Sequence, residues 1–257
     1  MSKHSAVQRK EHLLELLEKN GSVVVSELSK NFHISEVTIR NDLAEMEQAG
    51  LLQRVHGGAV STKRAYYELS LNDRMHVNKS EKIRIAKACA DLIHDGDTLM
   101  IDSGTTTRYL AMELRGRSNL TVVTNALLVA HEFLFNRAVD VILLGGNLDT
   151  QYQFTYGNDA VAQLQKYRAD KMILATDGIG AAYGLTTYHH QESDVSQLMA
   201  ARSNEVIVVA DHSKIGKEGF SNIMDISRIH MLVTDKTESE MAELEAIRQK
   251  SVAVIEA

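Results

Sequence analysis

The stretch SEVTIRNDL, residues 35–43, leaves this chain the fewest choices. Ser35 is a helix N-cap whose hydroxyl can accept from the orphan backbone N–H of Val37 or Thr38. Ile39, Leu43 and Met46 recur at i, i+4 and i+7, which gives one apolar stripe. The opposite side carries Val37, Arg40, Asn41, Ala44 and Gln48, and Gly50 suits a left-handed C-terminal cap. That outward face is readable chemistry. Arg bonds guanine bidentately, Asn does the same for adenine, and a Val methyl meets a thymine methyl. Ser35, Glu36, Val37, Thr38, Arg40 and Asn41 are the candidate DNA contacts of this helix. Ser35 and Thr38 suit phosphate at the positive end of its dipole. An ordinary surface helix also explains one Arg-Asn pair, so the flanks decide.

An amphipathic helix is expected over residues 3–19, with Val7, Leu13, Leu14 and Leu17 inward and Asn20-Gly21 ending it. Val23-Val24-Val25 favours a short strand. A second helix begins at Ser26 and ends near Phe32, and His33-Ile34 forms the turn before Ser35. Two short helices joined tightly, the second bearing readable side chains, is the helix-turn-helix plan. LLQRVHGGAV then reads as two strands around a Gly57-Gly58 turn. Such a wing offers Arg54 and His56 to the phosphate backbone or the minor groove. No helix follows Gly57-Gly58, so a turn fits better there than a nucleotide-binding loop. These features place a DNA-binding domain at 3–58, a polar linker at 59–79 and a second domain at 80–257.

The net charge of −6 is a poor match to duplex DNA, but it is unevenly spread. Residues 1–64 hold nine Lys/Arg against eight Asp/Glu, while the remainder carries a net −7. Affinity for DNA would therefore come from placed contacts and from oligomerisation rather than from a broad basic field. With 44% apolar residues over 257 positions there is enough for two cores. No apolar run approaches the ~18 residues that span a bilayer, and the start MSKHSAVQRKEH lacks a hydrophobic signal region. The single cysteine, Cys89, fits a reducing cytoplasm.

From Ser80 onward short apolar strands alternate with helices, the pattern of a parallel α/β sheet covered on both faces. Ligands in such sheets bind where strands hand over to loops. Asp102, Ser103, Gly104, Thr105, Thr106 and Thr107 end the first strand and run into a helix, which supplies a close-approach glycine, hydroxyls and backbone N–H groups to an anion. Asn125 ends the next strand, Gly145-Gly146 the third and Asp177 a later one. Glu192 opens a helix, and Lys214 follows Asp211 at another strand end. Lys214 could pair with phosphate, and Asp177, Glu192 and Asn125 could bond sugar hydroxyls. No cofactor is expected. His189-His190 beside Glu192 does not make a metal site, because adjacent residues on an extended chain point to opposite sides. A second reading makes the body a sugar-phosphate isomerase, with Asp102, Asp177, Glu192 and Lys214 as base, acid and phosphate clamp.

Arg9, the Leu13/Leu17 spacing, SEVTIRNDL and the HGG turn at His56 are followed in order by DSGTTT, TN, LLGG, YG, DGI and DHSK. As a set they resemble the DeoR-type family of bacterial transcriptional repressors of sugar metabolism. The resemblance implies a winged helix-turn-helix joined to a sensor domain similar in fold to ribose phosphate isomerase and CoA transferases. It implies double-stranded operator DNA and a phosphorylated sugar or sugar alcohol as partners, homo-oligomers, and no catalysis. It carries Ser35, Thr38, Arg40 and Asp42 onto the recognition-helix signature, with Asp42 structural because it flanks the apolar stripe. The family is often basic at position 41, where this chain has Asn.

Overall fold

The computed structural model describes residues 9–10, 12–13, 16–17, 22–48, 52–55, 57–61, 71–235, 238 and 240–257. The chain divides into two compact units, Met1–Ser70 and Leu71–Ala257. In the first unit, Arg9, Lys10, His12, Leu13, Leu16 and Leu17 are helical. Strand β1 (Ser22–Val24), helix α1 (Val25–Phe32), helix α2 (Glu36–Gln48) and strands β2 (Leu52–Val55) and β3 (Gly58–Ser61) follow. Leu13, Leu17, Leu28, Ile39, Leu43, Met46 and Leu52 close one small core. The stripe expected of α2 is thus the face it buries. Of the residues singled out from sequence, Val7, Leu14, Asn20, Gly21, Gly50 and His56 lie outside the described residues.

Helix α1 starts one residue before the expected Ser26. Val24 precedes it in extended conformation without a side-chain cap. A tertiary bond takes the cap's place: the Val25 N–H donates to Gly57 O at 2.8 Å, and the Val25 side chain is buried. His33 then takes the left-handed conformation, with φ 54°, and turns the chain into α2. The three strands form an antiparallel sheet ordered β1-β3-β2. Val55 pairs with Gly58, so Gly58 belongs to β3 and only Gly57 of the expected pair is left to the turn. The two glycines serve different needs. Gly57 has φ 82°, whereas a Cβ on Gly58 would stand 2.1 Å from Val23 O, where β1 crosses.

The second unit is built on a seven-stranded sheet ordered β15-β14-β12-β9-β4-β5-β6, in which every pairing is parallel. These strands are β4 (Thr98–Ile101), β5 (Leu120–Thr124), β6 (Val139–Leu143), β9 (Ala169–Ala175), β12 (Ser203–Val209), β14 (Met231–Thr234) and β15 (Ala253–Glu256). The side-chain period of two shows in β9. Met172 and Leu174 join one core cluster, while Ile173 joins the other. Helices α3 (Leu71–His76), α4 (Lys79–Ala90), α5 (Thr105–Glu113), α6 (Leu127–Glu132), α7 (Asn158–Leu164), α8 (His190–Ala201) and α9 (Met241–Gln249) lie along the same chain. Residues 71–79, read from sequence as linker, belong to this unit. Two antiparallel additions were not legible: a hairpin of β7 (Asn147–Asp149) with β8 (Phe154–Tyr156), and a sheet of β10 (Gly178–Gly180), β11 (Gly184–Thr187) and β13 (Ser221–Met224). The expected strand DKMILATDGI is therefore two, β9 and β10, interrupted at Thr176-Asp177.

One ion pair locks the first unit. Arg9 donates to Asp42 through Nε (2.6 Å) and a terminal nitrogen (3.0 Å), and both side chains are almost fully buried. The Asp42 hydrogen bond holds the guanidinium above its usual range, against burial. Stranding one member of such a pair costs roughly 3–5 kcal/mol. Asp42→Ala should therefore strip hydrogen-exchange protection from α2 while leaving the second unit protected. Arg9→Met with Asp42→Leu should recover much of the loss.

Candidate functional site

In the parallel sheet, β4 is followed by β5 and β6 on one side and by β9 on the other, so the strand order reverses between β4 and β9. Their adjacent carboxyl ends carry Asp102 and Asp177. Backbones there are about 4.8 Å apart, and such a switch point is where open α/β sheets bind ligands. Gly104 makes the turn from β4 to α5 with φ 145°; a Cβ there would lie 2.6 Å from Ala175 Cβ on β9.

Asp102 is 2% exposed. It accepts from the Ser103 N–H at 2.8 Å and from the Ser196 hydroxyl at 2.8 Å. The Ser103 hydroxyl in turn donates to Glu192 at the start of α8. Burial pushes the Asp102 carboxyl up to about 6, with Ser196 and Ser103 opposing. Burial, and then the neighbouring Asp102, hold Glu192 well above the ordinary carboxyl range. Two acids this close in a dry site cannot both ionise cheaply, so near neutral pH the pair retains a proton.

Asp177 behaves oppositely. Burial opposes its charge, yet Arg74, Lys214 and the Tyr188 N–H keep it below the usual value. Arg74 of α3 lies 3.2 Å from Asp177 Oδ1, with 12% and 5% of the two side chains exposed. Thr187 and the Tyr188 N–H complete the shell at 3.1 and 3.0 Å. Asp211, at the end of β12, accepts from Asn78 at 3.0 Å and from Ser213. Against the effect of burial, Lys214, Ser213, Lys82 and Asn78 lower it too. Lys82 donates to the carbonyls of Arg74 and Val77 at 2.7 Å each, and burial brings its ammonium down to about 8. Burial likewise lowers Lys214, against Asp211 and Asp177.

The structure thus gathers Asp102, Ser103, Asp177, Glu192 and Lys214 from the sequence-derived set. Asn125 is fully buried at the end of β5; its Nδ2 donates to Thr155 O at 3.2 Å, and its Oδ1 has no hydrogen-bond partner among the described residues. Thr105, Thr106 and Thr107 are buried at the start of α5. Thr107 spends its hydroxyl on Gly104 O at 3.0 Å. Gly145 and Gly146 serve packing. Gly145 N–H donates to Gln163 at 3.1 Å, and a Cβ on Gly146 would strike Tyr156 O at 2.5 Å. Sequence reasoning missed Arg74, Asn78 and Lys82, which lie in or just after the apparent linker, and Ser196, one helical turn beyond Glu192. The i, i+4 spacing of Glu192 and Ser196 was the one available signal.

On α2, the Thr38 N–H donates to Ser35 Oγ at 3.2 Å, which closes the cap. Val37, Arg40 and Asn41 are exposed. Glu36 accepts from Arg40 at 2.7 Å, one turn along the helix. Arg54 of β2 is tied to Glu47, its N–H donating at 2.8 Å. Each of these outward cations is thus accompanied by a glutamate.

A family model described as the DeoR-like helix-turn-helix domain matches residues 9–65, and one described as the DeoR C-terminal sensor domain matches residues 77–236. The putative aga operon transcriptional repressor of Escherichia coli O157:H7 is 35% identical, covering 96% of this chain and 93% of its own. The lactose phosphotransferase system repressor of Staphylococcus aureus is 32% identical over 95% and 96%. The transcriptional repressor GlcR of Bacillus subtilis is 30% identical over 87% and 86%. Among solved structures, ribose 5-phosphate isomerase A of Methanocaldococcus jannaschii aligns at 16% identity and TM-score 0.40, over 53% of this chain and 54% of its own. Among the described residues no helix is long and apolar enough to cross a membrane.

The two raised acids set a pH dependence. Their folded pKa values lie above the unfolded ones, so above about pH 4 the native state holds more protons. The stability they contribute is complete below about pH 4; the share of Asp102 is lost as pH rises through about 6, and that of Glu192 as pH rises through its own raised value. Asp177 and Asp211, being lowered, act in the opposite sense below pH 4. Glu192→Gln should flatten the fall in melting temperature as pH rises above about 4.5, the ordinary carboxyl range. An unchanged profile would mean that the pair does not share a proton.

Proposed function

Because the chain belongs to the DeoR family of transcriptional regulators, we propose that it represses a sugar or sugar-alcohol operon under control of a phosphorylated effector bound at the strand-end cluster. The observation that carries this is the gathering of buried Lys82 and half-buried Arg74 and Lys214 around the buried Asp177 and Asp211 at the strand-end rim. Buried ion pairs add little stability over apolar packing, so a cluster of this size at a ligand-binding edge argues for an anionic ligand. In this reading the phosphate meets the three cations and the N–H groups opening α5. Protonated Glu192 and Asp102 bond sugar hydroxyls, with Asn125 Oδ1 as a further acceptor. The proton kept by the acid pair limits repulsion of the phosphate.

Ser35 and Thr38 contact operator phosphate, and Arg40, Asn41 and Val37 read base edges in the major groove. Glu36 holds Arg40 when DNA is absent. Arg54 contacts the backbone beside the wing. A homo-oligomer presents two such helices to repeated half-sites. Effector controls affinity by binding preferentially to the state that grips operator poorly; coupling of about 1–3 kcal/mol is typical of such regulation.

Arg40→Ala or Asn41→Ala should weaken specific operator binding about 10- to 100-fold, as loss of a bidentate base contact does, with the second unit's melting unchanged. Lys214→Ala should keep operator affinity and lose its response to effector. Fluorescence anisotropy on operator duplexes, after a thermal-shift screen of phosphorylated sugars, reads both. Normal operator affinity in Arg40→Ala would overturn the recognition assignment, and a wild-type protein indifferent to every sugar phosphate would overturn the effector site.

A further inference from the structure

Arg74 is oriented from a second direction. Its guanidinium carbon lies 5.4 Å from the centroid of the Tyr152 ring. The same ring packs on His189, with centroids 4.0 Å apart and planes at 52°. Arg74, Tyr152 and His189 come from three separate segments: α3, the tip of the β7–β8 hairpin, and the connection from β11 to α8. The tip is held in place. Asp149 accepts from the N–H groups of Gln151 (3.0 Å) and Tyr152 (2.8 Å). Gln153, left-handed with φ 58°, accepts from the Leu127 N–H at 2.9 Å. Tyr152 itself is 9% exposed. Burial keeps His189 below its ordinary value, so its ring stacks as the neutral form.

From this geometry, and resting on the reading of Arg74 as an effector contact, we infer that Tyr152 is a positioning residue for effector binding, its ring fixing the plane in which the Arg74 guanidinium meets a phosphate. Arginine recognises phosphate through in-plane N–H pairs, so the tilt of that plane sets how many bonds form. Asp177 fixes the guanidinium at one edge. An aromatic face within about 6 Å restrains the tilt of that guanidinium plane in a direction the edge contact does not. An aliphatic side chain would fill the same volume without defining a plane. The role belongs to the ring; the phenolic oxygen accepts from Gln151 Nε2 at 3.1 Å within the tip.

The test uses the full chain with inorganic phosphate as probe, titrated by calorimetry and by thermal shift. Tyr152→Phe should bind within about twofold of wild type, and Tyr152→Leu about tenfold more weakly, the size of a desolvated cation–ring interaction. The combined Arg74→Ala/Tyr152→Leu variant should bind no more weakly than Arg74→Ala alone, because the ring acts only through the arginine. In an Arg74→Lys background, where no guanidinium plane exists, the leucine substitution should lose most of its effect. Wild-type-like binding by Tyr152→Leu, or a loss that adds fully to that of Arg74→Ala, would overturn the proposal while the anion site stands. Failure of phosphate to bind wild type, or binding indifferent to Arg74→Ala, would overturn it together with the assignment of Arg74 to the effector.

Discussion

Seven strands hydrogen-bonded in parallel must all end on the same edge of their sheet, and the chemistry of the second unit descends from that ladder. Asp102, Asn125, Asp177 and Asp211 are far apart in sequence, yet each is at or just beyond the last residues of a strand. Parallel pairing brings them to a common rim, and helices on both faces keep the sheet dry. A carboxyl at such a rim is stripped of water on the core side and must find a proton or a cation. The two solutions stand beside each other here. Asp102 and Glu192 take the proton; Asp177 and Asp211 take the arginine and lysines. The division follows the neighbours, since α3 and α4 bring their cations to β9 and β12.

A charged group held this way is set for exchange. On the proposed reading, an arriving phosphate offers Arg74 and Lys214 a second anion after the fold has already removed part of their water. Ligand binding then competes with internal pairs rather than with bulk water. Such competition couples a small molecule to conformation, provided that the two states differ in those pairs.

The first unit solves another problem. Its core is small, and a few aliphatic side chains from three helical segments and a ribbon must fix the angle at which α2 is presented. The bidentate Arg9–Asp42 pair supplies direction that apolar contact lacks. Among the described residues of the same unit, Lys10, Arg40 and Arg54 are matched by Glu45, Glu36 and Glu47, in keeping with its near-neutral charge. Affinity for a polyanion must then arise where DNA geometry separates these pairs, which favours placed contacts over a diffuse field.

Local chemistry was sufficient for much of this. The apolar stripe of α2, its serine cap, the wing and the alternation of strands with helices are short-range patterns, and a period of 3.6 or 2 is visible in a window of ten residues. The strand-end carboxylates were legible for the same reason. Arg74 and Asn78 were not, because their segment reads as aperiodic linker and their partners lie 103 and 133 residues away; Lys82 falls in an expected helix, but its bonds to the carbonyls of Arg74 and Val77 depend on how that preceding segment folds. The break in β9 at Thr176-Asp177 and the β7–β8 hairpin also escaped, since short strands depend on partners that sequence does not name. The sequence by itself determined which residues cap, bury and turn, because those preferences act over a few bonds. Only the tertiary structure decided which acids keep a proton and which meet a cation, because dehydration and charge pairing depend on what the fold brings within a few ångströms.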